Sequence, residues 1–305
     1  MTSVRSPAGR HGEAADCRVV KLGGSLITTT DPGGRPHVNE QRVVALAQEI
    51  AATALPTILV HGTGAFGKPA ARRHDYLDGV ITTGRQNVFA EVAALLSRLE
   101  LAVLEALQQG GLCTVRVPLS GLCAYTDGGI RLLNVDAVRL LLDHGIVPVL
   151  GGNLAWGQHG FAVYSSDTLA ADLAIALRAT GLIMATNACG VHLHHGASDR
   201  IHRELDADEP VLSGSVLPDR QDVSGGMRAK IRECGRAART GIPTFIVDGR
   251  LTGNLTASLR GATLSGTRIR AGGSQETVSP SSGRSPSTTP EAPPGGALRF
   301  PRERG

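Results

Sequence analysis

Short apolar runs alternate with amphipathic stretches between residues 17 and 270. Arg18–Leu22, Thr57–Val60, Cys113–Val117, Ile146–Leu150, Leu182–Ala185 and Thr244–Val247 read as strands. Between them, Asn39 caps a helix with apolar residues at Val43, Ala47, Ile50 and Ala51. A long helix runs from Arg85 to Gln109 and stops at Gly110-Gly111. Asn134 caps a helix ending at His144-Gly145, Ser166 caps one ending near Gly181, and Gly226 to Thr240 is helical. Segments 121–133, 153–164 and 191–203 read as hairpins decorating this frame. The alternation predicts an α/β fold with a mainly parallel central sheet and helices on both faces. Ligands of such sheets bind beyond the carboxyl ends of the strands, so chemistry is sought in the loops that follow them.

The two ends lack this pattern. Residues 1–16 are polar, with no secretory apolar stretch, and are expected to be disordered. In Ala271–Gly305, 21 of 35 residues are Gly, Pro, Ser or Thr, the composition of a disordered tail. The folded part is therefore 17–270 of the 305 residues. No apolar run approaches the roughly 18 residues of a membrane span, and a cytoplasmic protein without a membrane partner is expected. Five scattered cysteines without a CxxC predict reduced, buried thiols. The net charge of +4 is not clustered and aromatic residues are 3%, which argues against a nucleic-acid partner.

Of 31 basic residues only three are lysine: Lys21, Lys68 and Lys230. A compact point charge on a flexible stem suits a tight site around a phosphate better than the bulky guanidinium fork. All three lie in glycine-rich loops. Lys21 precedes Gly23, Gly24 and Ser25 at the end of the first strand, where paired glycines let backbone N–H groups approach an anion. The run His61-Gly62-Thr63-Gly64-Ala65-Phe66-Gly67-Lys68 ends the second strand. It satisfies G-x-G-x-x-G without the acidic residue expected further on. It also satisfies G-x-x-x-x-G-K, but Pro69 stands where a P-loop needs Ser or Thr for magnesium. A P-loop using Asp248 as its acidic partner is the rival reading. Asp222-Val223-Ser224-Gly225-Gly226-Met227 opens a helix carrying Lys230 one turn in, an anion site by geometry. Tyr164-Ser165-Ser166-Asp167 opens another, where Asp167 serves the helix dipole or orients nearby lysines. His61 and His74 are candidate acid–base groups, and His192, His194 and His195 a histidine cluster that reads more simply as a hairpin.

Taken in order, KLGGS, HGTGAFGKPAARRH, YSSDTLAADLA, DVSGGMRAKI and DGRLTGNLTASLRG resemble the amino acid kinase superfamily, most nearly isopentenyl phosphate kinases and more distantly the fosfomycin-resistance kinase. The resemblance spans Arg18 to Arg270. It implies a three-layer α/β/α sandwich, usually homodimeric, with an acceptor-binding half (17–160) and a nucleotide-binding half (161–270). The implied function is an ATP-dependent, magnesium-using kinase acting on a small anionic molecule, isopentenyl phosphate or a related alkyl monophosphate. A phosphonate or carboxylate acceptor, or a nucleotide-binding sensor without catalysis, is the alternative. By the same resemblance Lys21 and Lys230 contact the ATP phosphates and the moving phosphoryl group, and Asp167 organises them. Gly23, Gly24, Ser25 and Gly64 cradle the phosphates, and Asn187, Gly225, Gly226 and Met227 line the nucleotide site. Gly62, Thr63, Gly64, Ser166 and Lys68 face the acceptor. Phe66, Val80, Ile81 and Phe89 are candidates for an alkyl pocket or for core.

The chain departs from the family pattern at several points. Lys68 replaces a histidine that grips the acceptor phosphate. A lysine expected after the first glycine pair is absent from Thr28-Thr29-Thr30-Asp31. Asn153, Thr168 and the loop Thr186-Asn187-Ala188-Cys189-Gly190 stand where acidic residues are usual. Lys68 is expected to supply part of the missing charge.

Overall fold

The computed structural model describes residues 16–76, 80–158, 160–195, 198–208, 226–262 and 265–272. The sequence readings for residues 1–15, for Asp222–Gly225 and for 273–305 lie outside the described residues, as do the side chains of His194 and His195.

The first elements are β1 (Arg18–Leu22), α1 (Gly24–Ile27), β2 (Thr28–Thr30), β3 (Pro36–Val38), α2 (Glu40–Ala51), β4 (Thr57–His61), α3 (Gly64–Arg73), β5 (Val80–Thr82) and α4 (Gln86–Gln109). Next come β6 (Thr114–Arg116), β7 (Cys123–Thr126), β8 (Gly129–Leu132), α5 (Asp136–Asp143), β9 (Val147–Gly151), β10 (Asn153–Gly157) and β11 (Gly160–Tyr164). The remainder is α6 (Ser166–Leu177), β12 (Gly181–Thr186), β13 (Val191–His195), β14 (Ser198–His202), β15 (Glu204–Asp206), α7 (Gly226–Arg239), β16 (Thr244–Asp248), α8 (Asn254–Leu259) and β17 (Gly266–Arg270).

Eight strands form one sheet in the order β15-β17-β16-β12-β1-β4-β9-β6. Every neighbouring pair is parallel except β16 with β17. The period-2 alternation of strand side chains builds a core on each face. Val19, Ile58, Val60, Leu182 and Met184 pack with Leu169 and Leu173 of α6 and Ile231 of α7. Val20, Leu22, Leu59, Ile183 and Val247 pack with Val43 and Leu46 of α2 and Leu99 and Val103 of α4. Each such buried side chain contributes about 1.5–3 kcal/mol. The result is the expected three-layer α/β/α sandwich.

All three expected hairpins form: β7–β8, β10–β11 and β13–β14 are antiparallel. The first two join β5 in a smaller sheet ordered β5-β11-β10-β7-β8. The β2–β3 hairpin, α3 and α8 carry too short an apolar pattern to be read in advance. Four sequence readings of local structure need correction. Val135, not Asn134, is the N-cap of α5, although Asn134 Oδ1 accepts from the Ala137 N–H at 3.4 Å. Ser165, not Ser166, caps α6: its Oγ accepts from the Thr168 N–H at 3.1 Å. That helix ends at Leu177 because Arg178 takes a left-handed conformation, short of Gly181. All five cysteines are free as expected, but Cys113 is exposed and Cys189 half-buried, so only Cys17, Cys123 and Cys234 behave as buried hydrophobes. No helix among the described residues is long and apolar enough to cross a membrane.

Candidate active site

Lys21 is the fourth residue of β1, in register with Met184 of β12 and Val60 of β4. Alternation sends Val20 and Leu22 to one face and Lys21 with Val19 to the other, beneath the start of α6. Ser165 fixes that start, and Asp167 lies in its first turn. α7 brings Lys230 to the same point. The Nζ atoms of Lys21 and Lys230 each lie 2.8 Å from Asp167 Oδ1. All three residues are at most 8% exposed.

The charges shape one another. Burial alone would raise the Asp167 carboxyl, but the two ammonium groups outweigh it and hold the group well below the usual carboxylate range. Burial and the neighbouring Lys230 charge draw Lys21 down to about 8, against the pull of Asp167. Burial also lowers Lys230, but Asp167 prevails and its proton is held more tightly than usual. One carboxylate thus anchors two cations and leaves a net positive charge, ready for a polyanion.

Two glycine loops pack backbone to backbone beside this trio. A Cβ on Gly24 would lie 2.3 Å from the Gly64 nitrogen, and one on Gly62 would lie 2.5 Å from the Gly24 nitrogen. Gly64 also has φ +45, a conformation that favours glycine. Thr28 stitches the loops together: its hydroxyl donates to Gly24 O at 2.7 Å and accepts from Ala65 N at 2.9 Å. Sequence reading marked Thr28 only as a place where a lysine is missing. Its signal lay in three-dimensional pairing, not in any linear motif.

One cavity of about 400 Å³ collects these parts. Every described residue expected to contact ATP or the acceptor phosphate lines it: Lys21, Gly23, Gly24, Ser25, Gly62, Thr63, Gly64, Lys68, Ser166, Asp167, Asn187, Gly226, Met227 and Lys230. Gly225 lies outside the described residues. The lining also includes Ala71, Tyr76, Val92, Leu96, Leu154 and Val163, which give the cavity an apolar component. The four alkyl-pocket candidates are placed elsewhere. Phe66 and Ile81 are core, Val80 is on β5 away from the lining, and Phe89 stacks on Phe161 with centroids 4.1 Å apart.

Neither candidate acid–base histidine lines the cavity. His61 is 2% exposed, and burial lowers its pKa, so it is neutral near pH 7. His74 caps the end of α3 and pairs with Glu91 at 3.2 Å. The P-loop reading also fails, since α3 begins at Gly64 and places Gly67 and Lys68 within a helix, not a phosphate-wrapping loop. Asn153, in place of an acid, donates to Glu100 Oε1 at 3.0 Å, a bond a carboxylate could not make. Glu100 is held in turn by Arg116.

A sequence profile described as the amino acid kinase family matches residues 16–248. The chain belongs to the amino acid kinase family. It is a phosphotransferase of that family. An isopentenyl phosphate kinase of Methanothermobacter thermautotrophicus is 29% identical over 82% of this chain and 98% of its own length. One of Haloferax volcanii is 34% identical over 70% of this chain and 86% of its own. The solved structure titled "X-ray structures of isopentenyl phosphate kinase" superposes with a TM-score of 0.70 at 25% identity, covering 83% of this chain and 99% of that one. Among amino acid kinases, this member carries the Lys21–Asp167–Lys230 trio, with Lys68 lining the same cavity.

Proposed function

We propose that this chain is an ATP-dependent kinase that phosphorylates isopentenyl phosphate, or a closely related alkyl monophosphate, to the diphosphate. The observation that carries the reading is a single cavity whose lining combines three lysines with an apolar set, Ala71, Val92, Leu96, Leu154 and Val163. A monophosphate on a branched alkyl chain matches both components. An amino-acid carboxylate would leave its polar groups against Val92, Leu96 and Leu154.

In this reading residues 161–270 hold the nucleotide and 17–160 the acceptor. Lys21 and Lys230 neutralise charge on the transferring phosphoryl group, and Asp167 holds both lysines in place. First-turn amides of a helix have no intrahelical acceptor, so those of Gly24 and Ser25 are available to phosphate oxygens. Lys68 meets the acceptor phosphate. An acceptor oxygen already ionised near neutral pH needs no general base, so Lys68 and the trio act by positioning and charge stabilisation. The oxygen attacks the γ-phosphorus in line, a new P–O bond forms, and the bond to ADP breaks.

Magnesium would reach the site on the ATP phosphates, whose charge it offsets. The donor set fits that route: Asp167 is engaged by two lysines, and no cluster of three metal-ligating side chains exists among the described residues. A cytoplasmic homodimer is part of the same reading; it rests on the family resemblance, and sedimentation tests the dimer.

The test is incubation with Mg-ATP and isopentenyl phosphate, with the diphosphate followed by mass spectrometry. Product from the unmutated protein and none from Lys21→Ala is expected. ATP binding without product across alkyl monophosphates would overturn the reading.

A further inference from the structure

α6 carries a second carboxylate that the mechanism leaves unused. Asp172, five residues beyond Asp167, divides its oxygens between two other elements. Oδ2 accepts from the Tyr164 hydroxyl of β11 at 2.6 Å, and Oδ1 accepts from Arg236 Nη2 of α7 at 2.6 Å. Arg236 stands six residues beyond Lys230. Its Nη1 donates to Glu233 Oε2 at 2.5 Å, and Glu233 is 3% exposed. The Tyr164 phenol, pushed far above its ordinary range by burial and then by Asp172, stays a hydrogen donor.

α6 and α7 both start at the cavity and are joined at two levels. Asp167–Lys230 is the rung inside it. Asp172–Arg236 is a rung about 8 Å further along, from a rise of about 1.5 Å per residue. One contact fixes a distance, whereas two fix the rotation of one helix against the other. The second rung is partly open to water, with Asp172 19% and Arg236 41% exposed at the side chain. Pairs so placed add little to global stability. What this rung supplies is geometry, through a planar guanidinium fork that spans two carboxylates.

We propose that Asp172, Arg236 and Tyr164 are positioning residues for phosphoryl transfer: they set where Lys230 stands relative to Asp167 and Lys21. The rate readout of this inference rests on the kinase reading, and its binding readout does not.

Arg236→Met, Arg236→Lys and Tyr164→Phe are compared with the unmutated protein. Arg270→Met, which breaks an exposed pair with Glu204 and Asp206, serves as the control. Calorimetry gives the Kd for Mg-ATP, steady-state kinetics with isopentenyl phosphate give kcat and KM, and melting gives Tm. Arg236→Met is expected to weaken Mg-ATP and lower kcat by about tenfold or more, since small misplacements near the reacting groups cost that much. KM for the acceptor stays within about twofold. Arg236→Lys recovers part of the loss, Tyr164→Phe loses less in the same direction, and Arg270→Met loses nothing. A lowered Tm with Kd and kcat within about twofold of the unmutated protein, measured well below Tm, would overturn the proposal. If the unmutated protein does not turn over isopentenyl phosphate, the acceptor assignment fails while the Mg-ATP Kd still decides the positioning role. Tyr164 itself lines the cavity, so if Arg236→Met does not fold, Arg236→Lys and Asp172→Asn decide it by the same readouts.

Discussion

Asp167→Asn removes a charge from the centre of the site while barely altering its shape. Both ammonium groups lie 2.8 Å from the same Oδ1, so they are no further apart than twice that, 5.6 Å. Replacing the carboxylate with an amide removes its attraction for each ammonium, about 6 kcal/mol at 2.8 Å and an effective dielectric of about 20. That corresponds to about four pH units of proton affinity. Burial and the Lys230 charge already lower Lys21 with Asp167 in place and are unchanged in the variant. Lys21 is already drawn down to about 8 with Asp167 in place, so in the variant its proton leaves below neutral pH. The assay is kcat/KM for ATP across pH, which reports the free enzyme. The basic limb of the unmutated protein is expected near pH 8, and that of Asp167→Asn well below neutral pH, with activity partly regained in acid. Adding Lys21→Met removes the cost of burying that amine without its counter-ion, so the double variant should melt above Asp167→Asn while remaining inactive. A basic limb that does not move, or a double variant no more stable than the single one, would refute the electrostatic coupling.

Lys68→Ala should lower kcat by about a hundredfold while leaving ATP affinity within about threefold, because the proposed role of Lys68 is to meet the acceptor phosphate. Equal rates in the two proteins would remove Lys68 from the mechanism. Gly64→Ala places a Cβ 2.1 Å from Thr28 Oγ1 and 2.5 Å from Gly24 O at φ +45. It should cost about 1–3 kcal/mol in denaturant unfolding and abolish turnover, as overpacking at backbone contacts does. Stability against pH carries the sign of Lys21. With its folded value lowered to about 8 from 10.5, the unfolded chain binds more protons between those values, so this group's contribution rises with pH there. Lys21→Met should flatten that rise in thermal melts. Asp167 works in the opposite window: its contribution is present above the ordinary carboxylate value and is lost as pH falls through its depressed one.

The sheet and its sites were readable because the strands are short apolar runs ending in glycine loops, and glycine pairs have few physical uses besides close backbone approach. Lysine's scarcity did further work, since Lys21, Lys68 and Lys230 all reach one cavity. The helix of Ser166 was placed one residue off because Ser165 and Ser166 are chemically equivalent caps until the backbone decides. The apolar lining was missed for a different reason. Phe66 and Ile81 follow the glycine loop in sequence but do not line the cavity, whereas Leu96 and Leu154, buried in the same core, reach it from distant elements. Thr28, Asn153 and Asp172 act through partners 37, 53 and 64 residues away, and no local pattern announces such pairings.

The most direct measurement is kcat/KM for isopentenyl phosphate against a carboxylate such as N-acetylglutamate and against a phosphonate, at saturating Mg-ATP. A cavity lined by three lysines and an apolar set predicts a preference for isopentenyl phosphate of about a hundredfold or more. Turnover of the carboxylate or the phosphonate at an equal or higher kcat/KM would contradict it.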